Sequence, residues 1–393
     1  MLGRHLIERL HESASFRRWN DFAKPVEFTE LDKQAHKMVV AYVLGRALED
    51  DGQTVGWTAL VEGGIFEFLH RLVLTDIKPH VFHRMMREKG RELNRWVIER
   101  LREDFASLPE GFSERFSAYF GDEQLWLEEK RVLKAAHYLA TQWEFNVIYK
   151  ACPFLYGIEA VRREIEAQLD EHRGLPGVAE VAGQSDLHSF VSLCGQLRFQ
   201  RRWAETPRVP ATSVLGHMLL VGVMCYLLVL EFKPCPVRAR NAFFGALFHD
   251  LPEVLTRDIS SPVKTAVEGL EELIKEYEQR EMEEKLLPLL PESWRDEIRY
   301  FTDNEFDNRA CGGNAVRTGI EFETFQTEFN HDQFKPVDGQ MIRVCDHLGA
   351  FMEASLSIGH GVTSSTLRNA VERLLGRYDG QSLGGLPVGK LFC

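Results

Sequence analysis

The chain has 393 residues, 44% hydrophobic and 27% charged, which is enough for two domains or one large helical domain and is not the composition of a disordered chain. Its 59 acidic residues outweigh 47 basic ones, for a formal charge of −12, so broad attraction to a nucleic-acid backbone is excluded and polymeric DNA or RNA is not expected as a partner. Seven cysteines, at 152, 194, 225, 235, 311, 345 and 393, include no CxxC pair, and an odd number cannot all pair within one chain, so a reducing, cytoplasmic location is expected.

In chain order, the N-terminal stretch MLGRHLIERLHESASFRRW lacks the apolar core of a secretion leader. Leu93, Trp96, Val97, Ile98 and Leu101 recur at helical spacing and predict an amphipathic helix. A charged helix over Glu159 to His172 is followed by Arg173-Gly-Leu-Pro-Gly177, a cluster of helix breakers that marks a domain boundary. The expected domains are therefore residues 1–175 and 176–393. Met218 to Leu230 is a run of 13 uncharged residues, short of the about 18 to 20 that span a bilayer, so it predicts a buried core helix and no membrane association.

Ala239 to Phe248 reads as a small-residue helix, and Pro252 disfavours helical geometry at Leu251, so this helix ends or bends just after His249-Asp250. Leu270, Leu273, Ile274 and Tyr277 give a further helical period, and the charge run Glu271 to Lys285 reads as its solvated face. Thr302 to Asp338, containing Cys311-Gly-Gly-Asn314, has no clear period and is expected as a surface loop or a lid. Gly376 to Cys393 is glycine-rich and should pack only if it docks on the body. With strand patterns scarce, the expected fold is all-α.

The chain also reads as duplicated. Phe16-Arg-Arg-Trp19 recurs as Phe199-Gln-Arg-Arg-Trp203, and a histidine follows each, His36 after 17 residues and His217 after 14. Phe68-Leu-His70-Arg71 then matches Leu247-Phe-His249-Asp250. Val73-Leu-Thr-Asp-Ile-Lys-Pro79 resembles Val254-Leu-Thr-Arg-Asp-Ile-Ser-Ser-Pro262, and the segment around His137 resembles that around Asp346.

In the second copy, His217, His249, Asp250 and Asp346 supply two imidazoles and two carboxylates, natural ligands for a borderline divalent metal. Glu253, three residues after Asp250, is placed to act as general acid or base without binding the metal.

His217, then His249-Asp250-Leu-Pro-Glu253-Val-Leu-Thr-Arg-Asp258-Ile-Ser-Ser-Pro262-Val-Lys264, then Asp346, resembles the HD superfamily, and most closely its YfbR-like 5′-deoxynucleotidase branch, over residues 195 to 360. The resemblance implies tandem HD-type helical bundles and one divalent metal held by His217, His249, Asp250 and Asp346, with Asp250 and Glu253 as catalytic residues. Cobalt or manganese comes first as the metal, with nickel, iron, zinc and magnesium as alternatives. It also implies that Arg202, Trp203 and Asp258 contact the phosphate and sugar of a nucleoside 5′-monophosphate; a guanidinium fork suits a phosphate dianion. The chain departs from the family pattern at Leu215-Gly216, where a glutamate often precedes the first histidine, and in a longer segment before Asp346.

The first copy has Arg71 in place of the HD aspartate and His137 in place of Asp346. A fixed cation repels a metal, so residues 10–150 read as a degenerate repeat that stabilises the other or binds an anion through Arg17, Arg18 and Arg71. The alternative is a three-histidine site of His36, His70 and His137. The expected activity is a metal-dependent phosphohydrolase acting on (deoxy)nucleoside 5′-monophosphates or similar small phosphomonoesters, with a homodimer as the candidate assembly. A nucleotide-binding regulatory protein and an HD phosphodiesterase acting on cyclic or triphosphate nucleotides are the alternatives.

Overall fold

The computed structural model describes the chain apart from residues 76, 260–266 and 314 and the side chains of residues 79, 80 and 83. Asp76, Pro262, Lys264 and Asn314 of the motifs above therefore lie outside the described residues. The fold is all-α, as expected, with two small antiparallel sheets added.

Two helices form its centre, Glu30–Asp50, buried except in its last turn, and Val214–Val229, and they pack on each other. In the second, every residue is buried, which is why its sequence is apolar on all sides rather than striped. The apolar stretch Val214–Phe232 is long enough to cross a membrane, but here it is core. Around these two, Leu127–Ala151 packs on the first, while Pro236–Phe248 and Gly339–Gly359 pack on the second. Trp57–Leu74 crosses to Pro236–Phe248, and Tyr42 donates its hydroxyl to Glu297 at 2.6 Å among the rings of Trp57, Phe244 and Phe248. One continuous apolar core thus runs from Leu2 to Phe392.

Both central helices start in the same way. Thr29 and Ser213 cap their N-termini, each side chain accepting from the backbone N–H three residues on, of Asp32 and Gly216. Ahead of each cap the chain doubles back, pairing Arg17 with Thr29 and bridging Arg201 to Ser213. Trp19 and Trp203 follow, both with φ of 57°, a left-handed conformation that bulky residues rarely adopt. These matches support the reading of two repeats but change its register. Counted from the caps, the counterpart of His217 is Lys33, not His36, which sits almost a turn further into its helix. An alignment by residue type slipped by three positions because three residues nearly complete a helical turn.

Gly216 explains one departure from the family pattern. A Cβ there would come within 2.9 Å of Leu31 and 3.0 Å of Asp32 Oδ1, and Ser213 donates to Asp32 across the same contact. The two repeats meet too closely here for a glutamate.

Residues 302–338 are not a loop. Asn308–Gly312 pairs antiparallel with Ala315–Arg317 and with Val337–Asp338, and the Phe322–Glu328 helix intervenes. Strands this short cannot display a period of two. Buried Arg238 anchors the sheet through a two-pronged pair with Asp338 at 2.8 and 2.6 Å. The C-terminal tail does dock: Val388, Leu391 and Phe392 are buried, and Phe392 stacks on Tyr378 with ring centres 4.1 Å apart. The charge run lies on the Leu270–Glu281 helix, which is exposed along most of its length.

Candidate metal centre

Three elements deliver the expected ligands to one point. His217 stands in the first turn of the Val214–Val229 helix, His249 caps the C-terminus of Pro236–Phe248, and Asp346 lies on Gly339–Gly359. The ligand atoms of His217, His249 and Asp346 all lie within 4.8 Å of one another. His217 Nε2 is 2.9 Å from Asp346 Oδ1, and Asp250 Oδ2 is 3.2 Å from His249 Nε2 and 3.9 Å from His217 Nε2. Donors about 2.0–2.2 Å from a shared ion are themselves about 3 Å or more apart, so this spacing fits one metal.

Further observations support the fit. His249 Nδ1 bonds the Ala246 carbonyl at 2.7 Å, which places the ring proton on Nδ1 and turns the Nε2 lone pair inward. That Nε2 is buried, with the Asp250 carboxylate 3.2 Å away but outside hydrogen-bond geometry, an arrangement that a bound cation accepting the lone pair would satisfy. A Cβ on Gly349 would come within 2.9 Å of His217 Cε1; only glycine on the facing helix leaves room for the imidazole.

Electrostatics show what stands there without a cation. Burial alone would lower His249, but the adjoining Asp250 carboxylate outweighs it and raises the imidazole to about 9. Burial would raise Asp250 and Asp346; His249 and Arg202 hold the first carboxyl far below its usual range, and His217 with Arg202 holds the second down. The carboxylates are therefore charged and ready to ligate.

The other expected residues assemble around this cluster, though not as a free phosphate clamp. Arg202 reaches three carboxylates, Asp250 at 3.4 Å, Asp346 at 3.7 Å and Glu353 at 3.4 Å. Trp203 donates its indole N–H to Glu353 Oε2 at 2.8 Å. Glu253 is buried at the start of a single helical turn, Glu253–Thr256, and its carbonyl accepts from Gln200 at 3.1 Å, which ties that turn to the segment carrying Arg202. Asp258 acts electrostatically on Arg202 and Arg208.

Glu353 is the residue that sequence reasoning missed. It is buried on the Asp346 helix and also accepts from Thr212. Burial would raise its carboxyl, but Arg208 and Arg202 hold it well below the usual range. Its signal was available as a spacing: Glu353 lies seven residues after Asp346 and Glu144 seven after His137, two helical turns in both halves.

A model of the HD domain matches residues 194–375, and all four ligands fall inside that range. Residues 194–375 are thus similar to the HD-domain family. The chain's similarity lies with 5′-deoxynucleotidases: 32% identity over 120 residues with that of Vibrio vulnificus, covering 29% of this chain and 59% of the relative. A 5′-deoxynucleotidase of Photobacterium profundum is 30% identical over 128 residues, covering 31% and 63%, and that of Shewanella oneidensis 28% over 115 residues, covering 28% and 58%. The chain thus spans about three-fifths of the length of these relatives. The segment before Asp346 brings the Phe306 ring to 6.3 Å from the His249 ring.

The three-histidine alternative in the first half does not form. His36 is buried with Nε2 on the Val191 carbonyl at 2.9 Å and Nδ1 facing Arg198 at 3.1 Å. His70 bonds Asn94 at 3.0 Å, and His137 Nδ1 bonds Lys33 Nζ. The first two are core histidines with structural partners.

Proposed function

We propose that this chain is a divalent-metal-dependent phosphohydrolase that releases phosphate from deoxynucleoside 5′-monophosphates, in which residues 176–393 form the catalytic HD domain and residues 1–175 a degenerate HD-like repeat. The observation that carries it is the convergence of His217, His249 and Asp346 within 4.8 Å, with Asp250 beside them. The substrate class comes from the 5′-deoxynucleotidase relatives. A small-molecule nucleotide is the partner, and the free cysteines suit a cytoplasmic setting.

His217, His249, Asp250 and Asp346 would hold one ion, with cobalt or manganese the first to test. When bound, such an ion lowers the pKa of a water and polarises a phosphoryl oxygen. The chain's own residues supply the rest. Arg202, fixed between three carboxylates, presents a charge beside which a phosphate dianion can exchange for a carboxylate partner. Trp203, pinned through its N–H, offers its ring as a wall for the sugar, with Asp258 as an acceptor for a sugar hydroxyl. Glu253 takes the proton of the attacking water as its oxygen bonds phosphorus, and returns a proton to the departing 5′-oxygen. The products are inorganic phosphate and a deoxynucleoside.

The test is phosphate release by the purified chain with cobalt or manganese across the deoxynucleoside monophosphates, with Asp250→Ala as control. Turnover in the wild type that the variant lacks supports the reading. Equal inertness of the two while metal is bound overturns it, and release of pyrophosphate or of a linear monophosphate instead redirects it to the other HD chemistries.

A further inference from the structure

The cap-based register places Lys33 where the second repeat has His217, and the shared seven-residue spacing to Glu144 and Glu353 places His137 where it has Asp346. These two counterparts touch as their equivalents do: Lys33 Nζ bonds His137 Nδ1, as His217 meets Asp346. The surrounding frame is kept. Trp19 donates to Glu144 Oε2 at 2.8 Å, and Arg18 reaches the same oxygen at 3.0 Å, matching Trp203, Arg202 and Glu353. Arg71, aligned with Asp250, lies in the last turn of the Trp57–Leu74 helix, which packs on both Glu30–Asp50 and Leu127–Ala151, and its charge acts on Lys33 and His137.

The sign of the cluster is inverted. Its carboxylates are already engaged: Glu30 by Arg18 at 2.7 Å, Glu144 by Arg18 and by Arg198 at 2.7 Å, and Glu67 by Lys37 at 2.5 Å. Among the described residues, Arg71 makes no ion pair and rests over the Phe82 ring at 4.4 Å, while the hydrogen-bond partner of Lys33 is an imidazole rather than a carboxylate. With Nδ1 engaged by Lys33, His137 Nε2 donates when it carries the ring proton. Lys33 is fully buried, as His217 is, while Arg71 and His137 are partly exposed.

We propose that the first repeat is an anion site for a phosphate group, in which Arg71, Lys33 and His137 donate from the positions that ligate a metal cation in the second repeat. Arg17 takes no part: it is largely exposed and faces Glu27. A buried cation lacking its own carboxylate is costly, and a phosphate dianion accepts from guanidinium, ammonium and imidazole N–H together. This site stands whether or not the second repeat turns over.

Equilibrium dialysis of the full-length, metal-loaded chain with inorganic phosphate, and separately with a deoxynucleoside 5′-monophosphate on the Asp250→Ala background, counts bound ligand per chain. Arg71→Gln and His137→Asp should each bind one phosphate fewer than their parent, with thermal midpoints showing that both remain folded. Loss with inorganic phosphate identifies the free ion as ligand; loss with the nucleotide alone identifies a nucleotide phosphate. Unchanged stoichiometry for both ligands in both folded variants overturns the proposal. If one variant fails to fold, the other decides in the same way.

Discussion

Trp203 donates its indole N–H to Glu353 at 2.8 Å, and this bond anchors a buried charge network beneath the candidate metal ligands. Glu353 gathers Trp203, Arg202 and Thr212 and lies 3.7 Å from His217 Nδ1. Glu353→Ala leaves Arg202 and Arg208 short of their buried counter-charge, a change worth about 3–5 kcal/mol. Urea unfolding should show a loss of that order, with Glu353→Gln losing less because it keeps both acceptor shape and volume. Equal stability of Glu353→Ala and wild type would contradict this role.

Gly349→Ala tests the seating of His217. The new methyl would lie 2.9 Å from His217 Cε1, so the ring must rotate or retreat. Metal affinity should fall by about 10- to 100-fold, the usual effect of misplacing a ligand, while helix propensity rises slightly. Metal titration followed by a competing chelator reads the first effect and thermal melting the second. An unshifted affinity would show that the imidazole yields freely.

Metal removal should act locally. The apolar core runs through both repeats and does not depend on the ligands, so a chelator should abolish phosphate release and leave the far-UV circular dichroism unchanged. The thermal midpoint should rise again with added metal, by the linkage between binding and folding. Global unfolding on chelation would show that the ion is structural.

Acid should destabilise the chain before its carboxylates titrate. Burial lowers His36 to about 3 and His70 to about 4, against about 6.5 in the unfolded chain. Between these values the unfolded state binds more protons, so the contribution of these two histidines is full above about 6.5 and falls as pH drops toward 4, at up to about 2.7 kcal/mol per pH unit for the two together. The paired Glu30, which Arg18 holds at about 2 against the opposing effect of burial, adds its loss only at lower pH. Unfolding free energies at pH 7.5 and 5 check this, and equal values would refute it.

The legible part of this protein was its chemistry along one strand of covalent sequence. The His249-Asp250 pair at a helix end stopped by Pro252, the helical apolar periods and the all-α class follow from local rules, and the core helix after Ser213 announces itself by the absence of charge. Local spacing could not reveal what the two halves do to each other. Whether Lys33 or His36 answers to His217 is decided by where the caps at Thr29 and Ser213 fall, and each cap depends on pairing with a segment 12 residues earlier. Glu353 reads as an ordinary helical carboxylate until tertiary packing buries it beneath Arg202 and Trp203. Gly216 and Gly349 look like weak helix residues until the facing helix supplies the side chains that exclude a Cβ. Residue type and helical period are properties of a segment and can be read from it, whereas burial, charge pairing and close approach belong to surfaces from distant parts of the chain and exist only once those surfaces meet.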